Sequence, residues 1–365
     1  MRLPLTDPED FAKVDMAQVE KMVDTFLEHG FTYFDTAYMY HEFQSEKIVR
    51  AALVERHDRS AFTLATKLPT MFLKAEGDQE RIFAEQLEKC GVDYFDYYLL
   101  HNLNVANYRK VCQFDSFAFA ARMKAEGKIR HVGFSFHDSA ELLDEILTAH
   151  PETEFVQLQI NYMDWENESI QSRRCYETAR RHGKPVVVME PVKGGTLARL
   201  PEEAEQRFRA VRPELSPASW AIRYAAGLDG VMMVLSGMSS MEQLRDNISY
   251  MQHFEPLNAE ERAAVEDAVG IINRSIAVPC TACRYCVDGC PKQIAIPEYF
   301  ALYNNAEQSL NKGFSVQTVY YANLAQTHGR ASDCIGCRKC EKSCPQHLPI
   351  VEHLRQVAAR FDKEE

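Results

Sequence analysis

Blocks of apolar and polar residues follow one another along the first three quarters of the chain and predict helices and strands in turn. In "DMAQVEKMVDTFLEHG" the apolar residues recur every three or four positions, Asp15 is a capping residue and Gly30 is a stop signal, which predicts an amphipathic helix. The next residues, "FTYFDT" (31–36), are aromatic and β-branched, which favours a strand. The segment "SEKIVRAALVER" (45–56) then returns to helical spacing.

The same alternation continues to residue 274 and predicts a barrel. Further strands are predicted at 61–67, 96–101, 131–135, 155–161, 185–190 and 230–236, with helices near 79–90, 115–125, 139–149, 169–182, 202–227, 241–252 and 257–274. The strands are continuously apolar, which indicates a parallel sheet covered on both faces. We therefore expect an α/β fold, a (β/α)8 TIM barrel, over residues 1–275.

The start of the chain does not supply a complete eighth strand. Only "MRLPL" precedes the first helix, and we interpret it as the end of a first strand whose beginning is missing. The barrel would then have a gap between its first and last strands, where backbone groups lack partners. Two explanations stay open, a true start further upstream and a natural truncation.

Residues 276–365 form the second predicted domain, marked by two copies of one cysteine spacing. Each copy is C-x2-C-x2-C-x3-C-P, formed by Cys280, Cys283, Cys286 and Cys290 and by Cys334, Cys337, Cys340 and Cys344. In bacterial ferredoxins this spacing binds two [4Fe-4S] clusters, and the fourth cysteine of each run is a ligand of the other cluster. The predicted ligand sets are therefore Cys280, Cys283, Cys286 and Cys344 for one cluster, and Cys334, Cys337, Cys340 and Cys290 for the other.

Two structural zinc sites are the alternative for these cysteines. Zinc sites usually use separated C-x2-C pairs, which three successive cysteines followed by C-P do not match. The segments "AIPEYFALYNNAEQSL" and "PIVEHLRQVAARF" have helical spacing. In this respect the tail resembles the α-helical ferredoxins that serve as electron-relay domains of larger oxidoreductases. The resemblance implies a small, mainly α domain that transfers single electrons.

Four polar residues stand at or just after the ends of the first three complete predicted strands. Asp35 and Tyr40 follow the first strand, Lys67 ends the second and His101 ends the third. A β/α barrel keeps its active site at the carboxyl ends of its strands. In these four residues and their order the chain resembles the aldo-keto reductases, over roughly residues 1–273.

The resemblance implies a catalytic role for each residue of this tetrad. Tyr40 would donate a proton to a carbonyl oxygen, and Lys67 would make the phenol a better acid by favouring phenolate. Asp35 would keep Lys67 charged and in place, and His101 would orient the carbonyl for hydride attack. Taken singly, such residues are usually packing or solvated residues, so the complete set and its order carry the inference.

The resemblance also implies contacts to a nicotinamide carboxamide. Ser135 and Gln157 match the family's carboxamide-binding Ser and Gln. The Asn that normally follows the Ser is replaced by Phe136, and the aromatic residue that stacks on the nicotinamide aligns with Met189.

The adenosine-phosphate segment of the family corresponds to "VLSGMSSMEQLRDN" (234–247). Asp246 and Asn247 match its adenine contacts, whereas Gly237 and Gln243 replace the Lys and Arg that hold a 2′-phosphate. Because phosphate binds best to guanidinium or ammonium donors, we do not expect a preference for NADPH. NADH, or no tightly held nicotinamide, are the alternatives.

Composition and charge limit the classes of partner and the cellular compartment that we expect. The net charge is -12 and the pI is about 5.5, which argues against nucleic acid as a partner. No window approaches the roughly 18 uncharged apolar residues of a membrane span, and the start lacks a secretory signal, so we expect a cytoplasmic protein. Cys90, Cys112 and Cys175 are scattered single cysteines, which are most often buried small hydrophobic residues.

Together these features predict an oxidoreductase that interconverts a small carbonyl and an alcohol and exchanges electrons with a carrier such as ferredoxin or flavodoxin. A basic edge beside the second cysteine run, formed by Arg338, Lys339 and Lys342, is either a dock for an acidic carrier or a solvated surface. The alternative function is a non-catalytic redox-sensing or regulatory barrel with a ferredoxin relay. A third hypothesis is that the clusters are only structural.

Overall fold

One sheet of seven parallel strands organises the first part of the chain. The computed structural model describes residues 2–7, 10, 12–168, 170–274, 277–280, 282–308 and 315–362. The strands are β1 (Tyr33–Asp35), β2 (Thr63–Leu68), β3 (Phe95–Leu103), β4 (Ile129–Phe136), β5 (Phe155–Gln159), β6 (Val186–Met189) and β7 (Val231–Val234). Each of them overlaps a predicted strand, so the periodicity located all seven.

The strands pair in chain order, as expected for a β/α barrel. Lys67 of β2 lies opposite Leu99 of β3, and Ser135 of β4 lies opposite Gln157 of β5. Parallel pairing brings the carboxyl ends of all strands to the same edge of the sheet. Within the described residues no pairing joins β7 back to β1, so seven of the eight strands of a (β/α)8 barrel are present.

The segment before the first helix is not the end of a strand of the described sheet, which corrects the interpretation from the sequence. Residues 2–5 do not pair with the described sheet; instead Leu5 forms an antiparallel bridge with Val14. The Asp15 N–H donates to the backbone oxygen of Pro4 at 2.9 Å. A local antiparallel contact therefore satisfies backbone groups of this segment.

Helices connect the strands and make up most of the tail. They are α1 (Met16–Glu28), α2 (Tyr40–Phe43), α3 (Ser45–Val49), α4 (Asp78–Cys90), α5 (Val105–Gln113), α6 (Ser116–Ala125), α7 (Ala140–Ala149), α8 (Ser172–Arg181), α9 (Glu202–Val211), α10 (Pro217–Ala226), α11 (Met241–Met251), α12 (Ala259–Asn273), α13 (Ile296–Glu307), α14 (Val316–Leu324), α15 (Lys339–Ser343) and α16 (Ile350–Phe361). Helix α5 was not predicted; Asn104 caps it by accepting from the Asn107 N–H at 2.9 Å. No helix in the described part of the chain is long and apolar enough to cross a membrane.

The first of two compact units contains the whole sheet. It comprises Met1–Gln159, Arg174–Pro191 and Ile222–Pro256. One buried side chain from each of five strands packs in a shared cluster: Tyr33, Ala65, Leu99, Phe155 and Val187. Such inward-facing layers fill the centre of a barrel, so the edge at the carboxyl ends is left for polar residues.

The second unit contains the cysteine-rich tail. It comprises Ile160–Arg173, Val192–Ala221 and Leu257–Glu365. Its core includes Tyr299, Phe300 and Tyr321 from α13 and α14. The Tyr321 ring stacks on Phe361 of α16 at 4.9 Å. The tail is mainly α, as predicted, and the predicted boundary at residues 275–276 lies outside the described residues.

Candidate active site and candidate cluster sites

Asp35 and Lys67 form a buried ion pair at the carboxyl ends of β1 and β2. The Lys67 Nζ donates to Asp35 Oδ1 at 2.7 Å and to the backbone oxygen of Thr36 at 2.7 Å. Lys67 is fully buried. A buried ammonium is costly unless it is paired and hydrogen-bonded, so these acceptors are required for the charge.

Tyr40 lies between Lys67 and His101. Its ring centroid is 5.0 Å from Lys67 Nζ and 6.0 Å from the centroid of the His101 ring, in an edge-to-face arrangement. Within α2, which begins at Tyr40, three successive non-glycine residues, His41, Glu42 and Phe43, have φ of 47°, 51° and 67°, so this four-residue element is a left-handed turn and not a regular helix. Such residues cost about 1–3 kcal/mol each and are concentrated at functional sites.

Burial and Lys67 act on the Tyr40 phenol in opposite directions. Burial raises the pKa of Tyr40, the Lys67 ammonium lowers it, and the net direction is upward. For Lys67, burial lowers the pKa, but the Asp35 carboxylate and Tyr40 raise it, and the net direction is also upward. At neutral pH the site therefore holds an ammonium beside a neutral phenol. The acidifying effect expected of Lys67 is present, but burial outweighs it.

His101 completes the tetrad from an irregular part of β3. The pairing with β4 shifts register between Leu100 and Leu103, and such a bulge changes where the side chains point. Burial lowers the pKa of His101 well below its usual range, and the Lys67 ammonium lowers it further. The ring is therefore neutral, and its Nδ1 has no partner among the described residues.

The structure thus brings all four predicted catalytic residues to one edge of the first unit. A cation, a phenol and a neutral imidazole lie around one position, with the carboxylate behind the cation. In such a set the phenol can donate a proton to an oxygen atom, and the neutral imidazole can donate a hydrogen bond to the same atom while it stays neutral.

Asn102 is a residue of this site that the sequence interpretation missed. It has φ of 58°, its N–H donates to Ser135 Oγ at 2.8 Å, and its backbone oxygen accepts from Asn107 Nδ2 at 2.7 Å. Its Oδ1 is buried and has no partner among the described residues. The sequence did contain a signal for this residue: an asparagine directly follows a predicted strand, and Asn tolerates the left-handed backbone region better than most residues.

Ser135 and Gln157 lie side by side, as the register of β4 and β5 dictates. The Ser135 Oγ accepts from the Asn102 N–H, which leaves its own proton available. The Gln157 Nε2 donates to Met189 Sδ at 3.3 Å, whereas Gln157 Oε1 is buried without a partner in the described part of the chain. One donor and one acceptor are therefore open at the two predicted carboxamide contacts, while the buried Phe136 adds none.

The predicted adenine contacts lie on α11, and Asn247 is already engaged there. Its Nδ2 donates to Ser236 Oγ at 2.7 Å, and its Oδ1 accepts from Tyr250 Oη at 2.5 Å. Asp246 precedes it on the same helix. An adenine would have to compete with these internal contacts for the amide of Asn247.

Gly237 and Gln243 replace the Lys and Arg with which relatives hold a 2′-phosphate, and the fold brings Arg2 to this segment, which the sequence does not reveal. The Gln243 Oε1 accepts from the Ser239 N–H at 2.7 Å. A Cβ at Gly237 would lie 3.2 Å from Cδ of Arg2, and Ser239 Oγ donates to the Arg2 backbone oxygen at 3.0 Å. Arg2 therefore brings a guanidinium side chain to this segment, although 237 positions separate it from Ser239.

A buried network supports the strand that carries Lys67. The Gln86 Nε2 donates to Glu46 Oε1 at 2.8 Å and to the Lys67 backbone oxygen at 3.0 Å. Thr66 Oγ1 also donates to Glu46 Oε1, and Tyr98 Oη donates to Gln86 Oε1. Burial raises the pKa of Glu46. The network ties α3, α4, β2 and β3 together and fixes the backbone from which Lys67 extends.

The eight clustered cysteines are divided between two cavities of the second unit. The first cavity is lined by Cys280, Cys283, Cys286 and Cys344, and the second by Cys290, Cys334, Cys337 and Cys340. Each cavity takes three cysteines from one run and the fourth from the other. Apolar side chains form most of the remaining walls, with Arg284 and Gln346 in the first cavity and Lys292 and Arg338 in the second, and Ile296 lines both cavities.

The arrangement of these thiols fits clusters better than single ions. Four thiolates at about 2.3 Å from one Zn²⁺ must converge on a point. A [4Fe-4S] cube instead takes its thiolates around a cavity, three from one run and one from the other.

Comparison with known proteins finds a matching family for each of the two parts of the chain. The sequence pattern of the aldo/keto reductase family matches residues 5–269, and that of a 4Fe-4S dicluster domain matches residues 279–352. An aldo-keto reductase of Mycolicibacterium vanbaalenii is 28% identical over 252 residues, which cover 68% of this chain and 83% of that protein.

Two solved structures show the same fold at low identity. The aldo-keto reductase AKR11C1 from Bacillus halodurans in its holo form has a TM-score of 0.55 and 24% identity, covering 70% of this chain and 88% of that one. An aldo-keto reductase from Klebsiella pneumoniae in complex with NADPH has a TM-score of 0.55 and 21% identity, covering 69% and 84%. Because the family pattern spans most of the chain, this protein belongs to the aldo/keto reductase family of oxidoreductases and carries a 4Fe-4S dicluster domain after the barrel.

Proposed function

We propose that the chain reduces a small carbonyl compound to an alcohol, and catalyses the reverse reaction, at Asp35, Tyr40, Lys67 and His101. We also propose that it exchanges single electrons with an external carrier through its clusters. The observation that supports the first part is the buried Asp35–Lys67 ion pair beside Tyr40 and a neutral His101. A buried lysine that is held charged beside a phenol is an arrangement suited to proton transfer.

In the reduction direction, Tyr40 donates its phenolic proton to the carbonyl oxygen as negative charge develops there. Lys67 stabilises the phenolate that is left, and Asp35 keeps the ammonium charged and positioned. The neutral His101 hydrogen-bonds the same oxygen and fixes the orientation of the carbonyl. A nicotinamide, when bound, supplies the hydride.

Ser135 and Gln157 are the proposed contacts of the nicotinamide carboxamide, because one offers a free proton and the other an open acceptor. Asp246 and Asn247 remain the proposed adenine contacts. In the second unit, the two groups of four cysteines that line the cavities are the proposed ligands of the two clusters. The clusters supply one-electron transfer, whereas a nicotinamide transfers a hydride, so the two activities are measured separately.

A specific observation favours the second candidate function, a non-catalytic redox-sensing barrel. The Asn247 amide is occupied by Ser236 and Tyr250, and Phe136 replaces a carboxamide contact. A barrel that no longer binds a nicotinamide would tolerate both features. The distinguishing property is pyridine-nucleotide binding, which the sensing barrel would lack.

The proposed function is tested on anaerobically purified holoprotein. We expect oxidation of NADH or NADPH in the presence of a panel of small aldehydes and ketones, followed by absorbance at 340 nm. In separate experiments we expect a chemical one-electron reductant to give the EPR signals of reduced [4Fe-4S] clusters. Binding of neither nucleotide, with intact clusters, would contradict the reductase and support the sensing barrel.

The pH dependence should differ between the two directions of the reaction. Reduction needs protonated Tyr40 and neutral His101, and the raised pKa of Tyr40 and the lowered pKa of His101 maintain both forms from pH 6 to pH 9. We therefore expect kcat/KM for carbonyl reduction to stay constant over this range. Alcohol oxidation needs the phenolate, whose fraction rises about tenfold per pH unit below the pKa, so kcat/KM for oxidation should rise accordingly. A reduction profile with a midpoint near pH 6.5 would contradict a buried, neutral His101.

Gln243→Arg should change the choice of nicotinamide. Residue 243 lies in the first turn of α11, where a guanidinium can bind the 2′-phosphate of NADPH. We expect the dissociation constant for NADPH to fall about tenfold relative to that for NADH, measured by fluorescence titration. The matched control is Gln252→Arg, which adds the same charge at the other end of α11. Equal tightening of both nucleotides, or the same effect in the control, would show a general charge effect instead.

A further inference from the structure

Each cysteine run exposes one large apolar side chain. Ile335, between Cys334 and Cys337, is 62% exposed, and Tyr285, between Cys283 and Cys286, is 66% exposed. Large apolar side chains at this exposure are few among the described residues, and these two are the most exposed of them. Their positions on the two cluster loops point to contact with another molecule at one loop or both.

The charges around the two loops differ. In the first loop the Arg284 guanidinium pairs with Glu298, and Asp288 is exposed. In the second loop the side chains of Lys339 and Lys342 are exposed and form no ion pair within the described residues. The Arg338 side chain is 73% exposed and lies 3.7 Å from Glu341.

The acidic residue of the second loop, Glu341, pairs with Arg338, whereas it forms no ion pair with Lys339 or Lys342 among the described residues. The Glu341 Oε1 accepts from the Val351 N–H at 3.0 Å, and the Glu341 side chain is only 22% exposed. Lys292 adds a further exposed cation, and it lines the second cavity together with Ile335 and Arg338. We define the docking face as Ile335, Arg338, Lys339, Lys342 and Lys292.

This basic face belongs to a chain with a net charge of -12. Long-range repulsion would keep another acidic protein away from most of its surface, so a local cluster of cations determines where such a protein can approach. Cys337, on the same loop, is exposed, which brings a predicted cluster ligand close to the contact. Electron-transfer complexes have small interfaces with charge complementarity and a few apolar contacts, as this face offers.

We infer that the docking face binds an acidic one-electron carrier protein, with Ile335 as the apolar contact and the four cations as the charged contacts. The inference rests on the proposed electron exchange. One electron would leave the reduced carrier, which is oxidised, and would be taken up by a cluster held by Cys290, Cys334, Cys337 and Cys340, which is reduced; no proton or atom is transferred. The equally exposed Tyr285 is not part of this face.

The test uses oxidised holoprotein and an acidic plant-type [2Fe-2S] ferredoxin, reduced beforehand and mixed by stopped flow. For the parent protein the second-order rate constant should fall steeply as ionic strength rises from about 10 mM to 0.3 M, because the Debye length shortens from about 30 Å to less than 10 Å. In the double variant Lys339→Glu/Lys342→Glu we expect at least a tenfold lower rate at low salt and a loss of this salt dependence. The dissociation constant for oxidised ferredoxin, measured by calorimetry, should weaken in parallel.

The apolar contact has a matched control on the other loop. Ile335→Ser should lower the rate about threefold at every salt concentration, whereas Tyr285→Ser should leave it unchanged. An absorption spectrum and an iron content equal to those of the parent must accompany each variant; if the double variant loses its clusters, Lys342→Glu carries the test alone. Equal effects of Ile335→Ser and Tyr285→Ser, or an unchanged salt dependence in the charge variants, would overturn the inference.

A small neutral mediator separates this inference from the proposed function. It should reduce the clusters of all variants at the parent rate, because it needs no docking face. Failure of the mediator to reduce the parent would contradict the proposed electron transfer itself. Normal reduction by the mediator, together with ferredoxin rates that are insensitive to every substitution, would contradict only the docking face. Salt-dependent self-association of the parent with no ferredoxin binding would assign the face to a second copy of the chain.

Discussion

Tyr40→Phe should lower kcat/KM for carbonyl reduction by about 10³-fold, within the range of general acid catalysis. The substitution removes only the phenolic oxygen, so the ring contacts to Lys67 and His101 are retained. KM should change little, because the hydrogen bond that is lost is strongest in the transition state. The rates come from initial-velocity measurements with saturating nucleotide, and nucleotide affinity should equal that of the parent.

The matched control is Tyr33→Phe in β1. Tyr33 is also buried, and its hydroxyl has no partner among the described residues, so its removal leaves no unsatisfied group behind. We expect full activity and an unfolding midpoint equal to or slightly above that of the parent. If Tyr40→Phe retained more than a tenth of the parent kcat/KM, Tyr40 could not be the proton donor. If both variants lost activity, the loss would come from the packing of the barrel.

Cys290→Ala should remove the cluster whose other three ligands come from the distant cysteine run. Cys290 lines the same cavity as Cys334, Cys337 and Cys340, and not the cavity of its own run. We expect the iron content of anaerobically purified protein to fall by half. The remaining cluster should give an EPR signal without the broadening that a neighbouring reduced cluster causes.

Pairs of substitutions test the crossing of the ligands directly. Cys290→Ala combined with Cys334→Ala should lose no more iron than either alone, because both residues serve one cluster. Cys290→Ala combined with Cys280→Ala should lose nearly all of it. Cys112→Ala, which removes an exposed cysteine of the first unit, is the control and should retain the full iron content. The opposite result for the two pairs would mean that each run holds its own cluster.

The thermal stability of the tail should also depend on the two clusters. The cavities are surrounded by the apolar core of the tail, and several cysteines are themselves part of that core. Because metal binding stabilises only the folded form, loss of one cluster should lower the unfolding temperature of the tail.

The alternation of apolar blocks was enough to locate every strand of the sheet, because continuous apolar runs between amphipathic helices have few other stable arrangements. Helix α5 escaped prediction because it follows β3 after a single capping residue, Asn104, and its pattern is short. The order Asp35, Tyr40, Lys67 and His101 was informative because parallel strands bring their carboxyl ends to one edge. The cysteine spacing was informative for a different reason: ligands close in sequence must converge locally.

The properties that depend on burial or on distant contacts needed the tertiary structure. The sequence places Lys67 near Tyr40, but only the packing shows that burial outweighs the ammonium and raises the pKa of Tyr40. The left-handed backbone and the open acceptor of Asn102 result from contacts with Ser135 and Asn107 on neighbouring elements.

The amino-acid sequence by itself determined the fold family, the order of the four proposed catalytic residues and the two cysteine runs, because these depend on periodicity and short spacing. Only the tertiary structure decided that Arg2 lies against Gly237 and that the left-handed Asn102 contacts Ser135 of β4. It also decided that Ile335 and its neighbouring cations are exposed together. The physical reason is common to all three. They depend on which side chains pack together and which stay exposed to solvent in the folded chain, and local spacing does not specify this.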